Sequence, residues 1–123
     1  MIRRKGLMLL AAALTLTPVG LAQEAPGKVG QCVTTTVTSV GTRLGAAGTG
    51  SVISFANGVR QISYQTVASI DHSKPGDTVK LCLVQLPKNC PAGDDRGKVY
   101  TGQNQRTHES WRESDSEHAC GGA

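Results

Sequence analysis

The alternation of apolar and polar positions in residues 51–65 predicts a β-hairpin. The segments SVISFA and VRQISYQ flank Asn57-Gly58, a dipeptide that suits the positive φ angles of a two-residue type I′ turn. Pairing across such a turn places Phe55 opposite Arg60, and side chains two positions apart then share a face. The face that this register predicts to be buried consists of Ile53, Phe55, Ile62 and Tyr64.

Two further segments have the composition of strands. Residues 33–40, VTTTVTSV, are rich in β-branched side chains and contain neither glycine nor proline. The glycine-rich residues 41–50 that follow predict a loop. Residues 78–87, TVKLCLVQLP, come after a turn at 74–77 and carry apolar side chains on both faces, which predicts a central strand.

The remaining elements are short, and together they define the fold class. Residues 66–70 fit either a short strand or one helical turn, and further strand candidates lie at 98–101 and around Trp111. The chain after residue 22 shows no internal repeat and no long segment with helical periodicity. The sequence therefore predicts an all-β fold, a small antiparallel barrel or sandwich of about five to seven strands.

The N-terminus has the pattern of a secretory signal peptide. Basic residues at 3–5 precede an apolar run at 7–14, and the small residues Gly20 and Ala22 precede the expected cleavage site. The run is shorter than the ~20 residues of a membrane helix, so we expect an exported protein, periplasmic or extracellular, without a membrane anchor. The predicted organisation is a signal peptide at 1–22, a flexible lead-in at 23–31 and a single domain at 32–123.

Removing the signal peptide changes the charge of the chain. The full sequence has 13 basic and 9 acidic residues and a net charge of +4; without the three basic residues at 3–5, 10 face 9. A nearly neutral domain lacks the basic stripe that provides most of the affinity for nucleic acid, so nucleic-acid binding is not expected.

Four cysteines compensate for a thin core. From residue 23 onward the chain has 18 Val, Ile, Leu and Phe residues, few for 101 positions. In an exported domain the cysteines predict two disulfides, with three pairings open. The favoured pairing joins Cys82 to Cys90 and Cys32 to Cys120. On the chain-entropy model these bridges stabilise by about 2.5 and about 4 to 5 kcal/mol respectively.

Residues suited to catalysis or metal binding are present but lack the required spacing. His72, His108 and His118 show no ordered metal-ligand spacing, so we expect exposed loop histidines, and neither a metal nor a cofactor. Asp94 and Asp95 are adjacent in a loop, whereas a glycosidase holds two carboxyl groups across a cleft. A solvated turn is therefore the favoured interpretation of Asp94 and Asp95.

The polar segment 102–120 contains the single tryptophan, Trp111, among charged residues. Tryptophan and arginine are the side chains most enriched in interface hot spots, so an exposed Trp111 would anchor a partner. The alternative is that Trp111 fills the end of the core and its neighbours are solvated. The partner-binding hypothesis involves Trp111, Arg112, Glu109 and Arg106.

The function expected from these observations is an exported binding or inhibitory protein without catalytic activity, whose partner is a protein or a component of the cell envelope. One alternative is a structural or stress-protective envelope protein with no defined site. Another is a small hydrolase or metal-dependent enzyme that uses His108, His118 or Asp94.

Overall fold

The computed structural model describes residues 24–122, so the predicted signal peptide and its cleavage site lie outside the described residues. The strand predictions are confirmed, and residues 66–70 contain one helical turn rather than a strand. The elements in chain order are β1 (Cys32–Thr42), β2 (Ser51–Phe55), β3 (Arg60–Ser63), α1 (Ala68–Asp71), β4 (Thr78–Gln85), β5 (Val99–Asn104) and β6 (Ser110–Ser114).

The six strands form a closed antiparallel barrel in the order β1-β2-β3-β6-β5-β4. β1 to β3 form a meander, and the chain then passes through α1 to β4, which pairs with the free side of β1 in a Greek key. β5 and β6 continue from β4. The barrel closes between β3 and β6 through a single pair, Ile62 with Ser114. The all-β prediction is therefore confirmed as a six-stranded barrel.

The barrel interior is filled by side chains at alternate strand positions. In β4, Val79, Leu81 and Leu83 are fully buried, and they alternate with the other face as the sequence predicts. The strand lies between β1 and β5, but its outer face, with Cys82 and Val84, is only partly buried. α1 adds Ile70, which is also fully buried. The core cluster consists of Val33, Val37, Ile53, Phe55, Val59, Ile70, Val79, Leu81, Leu83, Tyr100 and Trp111.

The favoured disulfide pairing is wrong: the bridges are Cys32–Cys82 and Cys90–Cys120. Cys32 and Cys82 lie directly opposite each other on β1 and β4, with their Cα atoms 4.0 Å apart. The spacing of cysteines along the chain does not reveal this, because strand pairing decides which side chains meet. The bridges span 50 and 30 residues, so the chain-entropy model gives comparable stabilisation of about 4 and about 3.6 kcal/mol.

The predicted hairpin forms, but its two-residue turn is wrong. The carbonyl of Phe55 accepts a hydrogen bond from the Gly58 N–H, and the Phe55 N–H donates to the carbonyl of Val59. These bonds close a three-residue loop in which Gly58 has φ 87°. A type I turn followed by a glycine in the left-handed region has this geometry. Asn-Gly fits both loops, so the dipeptide alone does not determine the register.

The three-residue loop shifts the register by one position and exchanges the two faces of β3. Ile53 pairs with Gln61 instead of Ile62, so Gln61 points into the barrel. Tyr64, predicted in the core, is 52% exposed, and Ile62 is buried outside the core cluster. The physical reason is the charge of Arg60, which the predicted register would place beside Phe55 on the inner face, without water.

Residues 24–31 contact one end of the barrel. Pro26 is buried, and the N–H of Gly30 donates to the carbonyl of Leu83. Whether this lead-in is flexible in solution stays a prediction. Within the described range, no helix has the length and apolar character needed to cross a membrane.

Candidate functional site

Trp111 belongs to the core, which confirms the alternative interpretation of this residue. Its side chain is 6% exposed and packs against Gly102 on the neighbouring strand. The indole Nε1–H donates to Oε1 of the buried Gln61 at 2.8 Å. The exposed tryptophan that the partner-binding hypothesis requires is absent, because Trp111 faces the barrel interior on the same side as its strand partner Gly102.

Of the other three residues of that hypothesis, Arg106 and Glu109 both contact His72 at one end of the barrel, whereas Arg112 lies elsewhere. Arg112 faces outward from β6, and its Nη2 donates to Oε1 of Gln85 at 3.1 Å. Glu109 lies before β6 and accepts from Nδ1 of His72 at 3.0 Å. These contacts do not gather the predicted residues around Trp111 into one surface.

Arg106 is part of a polar network at the barrel end that carries the β5–β6 connection. Its Nε donates to Oδ1 of the buried Asp77 at 2.7 Å, and its Nη2 donates to Oδ2 at 2.9 Å. Asn104, which is fully buried, donates to Asp77 Oδ2 and to the Ser73 hydroxyl, both at 2.9 Å. The Arg106 hydrogen bonds hold the pKa of Asp77 well below its usual value.

Replacing Asp77 by asparagine is expected to weaken the dependence of stability on acid. A depressed pKa contributes stability above the unfolded-state value, about 3.9, and this contribution is lost as pH falls below it. Urea unfolding at pH 7, 5 and 3 should show D77N less stable at pH 7 and less sensitive to acid than the native protein. Asp95→Asn is the control, since its partner Lys98 forms an exposed pair. An unchanged pH dependence of D77N would contradict the assignment.

The groups that the hydrolase alternative uses lie in separate parts of the chain. His108 is in the β5–β6 connection and His118 in the tail after β6. Asp94 is bound by Arg96 Nε at 2.9 Å, which holds its pKa well below the usual value and keeps it ionised. The part of the chain described, 24–122, contains no group of three His, Cys, Asp or Glu suited to a metal ion.

A groove opens where β3 and β6 diverge beyond their single pair. Its volume is about 440 Å³, and it lies beside the half-exposed ring of Tyr64. Phe55, Tyr100 and Trp111, the other aromatic residues of the chain, are all in the core. We call this feature the Tyr64 groove; it is lined by Ile62, Ser63, Tyr64, Gln65, Glu113, Ser114, Ser116 and Glu117.

Two contacts hold the Tyr64 ring in place. The Arg43 guanidinium lies 4.4 Å from the ring centroid, a cation–π contact, and Arg43 Nε donates to the Thr49 carbonyl at 2.7 Å. On the other side of the groove, the Tyr64 hydroxyl donates to the Glu117 carbonyl at 3.3 Å. The ring is thus anchored at both its face and its tip while half of it remains in water.

Glu113 also lines this groove, and its carboxylate is poorly solvated. Burial raises the pKa of Glu113, and a hydrogen bond from the Ser63 side chain partly offsets this effect. The main chain beside it is fixed, because Gln61 Nε2 donates to the Glu113 carbonyl at 2.9 Å. The position of Glu113 is therefore set by the interior of the barrel.

Comparison with protein-family models, curated proteins and solved structures gives no match for this chain.

A second groove, of about 460 Å³, lies on the outer face of β4 to β6. Regular strand geometry accounts for this groove. Lys80 pairs with Gln103 and Cys82 pairs with Thr101, and the groove lies between the outward-facing side chains of these two pairs. Trp111 is among the residues that line this groove but is only 6% exposed, and Cys82 is already in a disulfide. The Tyr64 groove is the better candidate site.

The sequence analysis missed Tyr64 because the assumed turn placed it in the core. One signal in the sequence favours the observed register: it exposes Arg60, which the assumed register turns inward beside Phe55. The stacking of Arg43 on Tyr64 has no sequence signal, because the two residues lie 21 positions apart and meet only through the fold.

Proposed function

We propose that this chain is an exported binding protein without catalytic activity of its own, which holds a protein partner at the Tyr64 groove. The observation that carries the proposal is the state of Tyr64, an aromatic ring held half in water by contacts with Arg43 and Glu117. In a chain with four aromatic residues, the one outside the core is both exposed and ordered.

An ordered, exposed tyrosine favours tight association for two reasons. An aromatic side chain buries about 150 to 250 Å² of surface when a partner covers it. A ring that is already fixed loses little conformational entropy on binding, so more of the burial free energy contributes to affinity. Tyrosine is also among the residues that dominate measured interface energies.

The compartment in the proposal is supported by the cysteines. Cys32–Cys82 and Cys90–Cys120 leave no free thiol among the described residues. Paired cysteines in a small domain are typical of oxidising compartments outside the cytoplasm. Together with the signal-peptide pattern at 1–22, they favour a periplasmic or extracellular location.

Site-specific photo-crosslinking tests the proposal. A p-benzoylphenylalanine residue at position 65, where Gln65 lines the groove, is expected to form an adduct with one protein in the extracytoplasmic fraction of the native cells, and one at position 101 should not. With the captured partner purified, we expect Tyr64→Ser to raise Kd at least about tenfold. Leu86→Ser, at another exposed apolar residue, should change Kd by less than about twofold.

Two results would overturn the proposal. One is a set of adducts that is the same from positions 65 and 101, or none from position 65. The other is a Kd that Tyr64→Ser leaves unchanged although the variant unfolds at the same urea concentration as the native protein.

A further inference from the structure

The residues that line the Tyr64 groove include acidic but no basic side chains. The two acidic ones are Glu113 and Glu117, and the lining contains no lysine, arginine or histidine. The nearby Arg43 stacks on the Tyr64 ring. In the described part of the chain, the ion pairs use other acidic residues, namely Asp77, Asp94, Asp95 and Glu109. The groove carboxylates therefore lack a cationic partner, in a domain whose basic and acidic residues are almost equal in number.

Of these two acidic residues, Glu113 would be stabilised more by a cationic partner. Its carboxylate is partly removed from water, and the Ser63 side chain supplies one hydrogen bond in exchange. Removing a carboxylate from water is unfavourable unless hydrogen bonds or an opposite charge replace the lost solvation. A basic group placed in the groove would supply both, so binding there has a favourable electrostatic contribution.

Tyr64 supplies the second half of a site for a basic side chain. The Arg43 guanidinium at 4.4 Å shows that the electron-rich ring already accepts a cation, while 52% of the residue stays exposed. The hydrocarbon part of an arginine or lysine side chain can cover such a ring while its charged end reaches a carboxylate. An aromatic residue and two acidic residues thus line one groove.

The shape of the groove suits an extended segment of polypeptide. β3 and β6 make one pair, Ile62 with Ser114, and then separate, so the groove runs between two backbone segments. Extended peptides commonly bind alongside strands, where backbone groups give affinity and pockets for side chains give specificity.

We infer that the Tyr64 groove receives a basic side chain, arginine or lysine, from an extended segment of the protein partner. The inference rests on the proposed function, since it names the chemistry that the same groove recognises. Arginine is expected to bind more tightly than lysine, because its planar guanidinium stacks on aromatic rings and pairs with carboxylates through two hydrogen bonds.

Titration of the ¹⁵N-labelled, disulfide-bonded protein with blocked tripeptides tests the inference. The probe is Ac-Gly-Arg-Gly-NH₂, and the matched control is the same peptide with citrulline, which keeps the shape of arginine and loses its charge. We expect the arginine peptide to shift the amide signals of residues 62–65 and 113–117 saturably, with affinity reduced by salt. The citrulline peptide should bind at least about tenfold more weakly.

Substitution of Glu113 separates its role from general surface charge. Glu113→Gln keeps the size of the side chain and removes a poorly solvated charge, so the variant should fold at least as well as the native protein. It is expected to weaken the arginine peptide at least about tenfold. Glu109→Gln, which removes a carboxylate outside the groove, should leave the affinity unchanged.

Three results would overturn the inference: equal affinity for the arginine and citrulline peptides, no saturable shift around the groove, or unchanged affinity in Glu113→Gln. The proposed function fails separately. If position 65 still crosslinks a partner whose binding depends on Tyr64, but the arginine peptide neither binds nor reduces crosslinking, then the binding function stands and the basic-segment inference is wrong.

Discussion

Replacing Gln61 by leucine is expected to lower the free energy of unfolding by about 3 to 5 kcal/mol. The Gln61 amide is fully buried and serves three groups at once. Its Oε1 accepts from the Trp111 indole at 2.8 Å, and its Nε2 donates to the carbonyls of Tyr100 and Glu113, both at 2.9 Å. Leucine leaves these groups inside the barrel without that partner, and a buried unpaired group costs about 1 to 3 kcal/mol.

Urea unfolding followed by the fluorescence of the single tryptophan measures this effect directly, because Trp111 is itself a partner of Gln61. Gln103→Leu is the matched control, since Gln103 is exposed on the outer face of β5, and it should change stability by less than about 0.5 kcal/mol. Equal midpoints for the two variants would show that the buried amide does not hold the β3–β6 closure.

Replacing Gly102 by alanine is expected to lower the free energy of unfolding by about 2 to 3 kcal/mol. A Cβ atom at Gly102 would overlap the Trp111 indole at Cε2, Cζ2 and Nε1. The indole cannot retreat freely, because it is buried and hydrogen-bonded to Gln61. The added methyl group therefore overpacks the core and displaces the ring from its hydrogen bond.

Gly41→Ala is the matched control for this substitution. Gly41 also lies in a strand, but a Cβ there meets nothing within 4 Å, so this variant should be neutral or stabilised by about 0.4 to 1 kcal/mol. Thermal unfolding and the emission maximum of Trp111 check both variants. A G102A protein with native stability and unchanged emission would mean that the ring is less constrained than its contacts indicate.

The strands were largely predictable because each follows from local pattern. In β4 the alternation of Val79, Leu81 and Leu83 with outward residues has the period of a strand, and the same holds for Val33, Thr35 and Val37 in β1. Closure of these strands into a barrel, rather than a sandwich, depends on the pairing of β3 with β6. That pairing joins residues more than 50 positions apart and has no local signal.

The candidate site was not predictable from the same patterns. The dipeptide Asn57-Gly58 is compatible with two loop lengths, and the choice between them reverses the faces of β3. The shorter loop would bury Tyr64 and expose Gln61; the observed loop does the opposite. A shift of one residue in the register therefore decides whether Tyr64 lies in the core or beside the surface groove.

Local pattern and composition were enough for the all-β class, a count of about five to seven strands with their approximate positions, and the presence of two disulfides, because alternation and turn residues act locally and cysteine content is a property of composition. The tertiary structure alone decided which cysteines pair, that Trp111 is hydrogen-bonded to a buried Gln61, and that Arg43 fixes Tyr64 beside Glu113. Each of these depends on register and on which distant strands become neighbours, and barrel closure sets both.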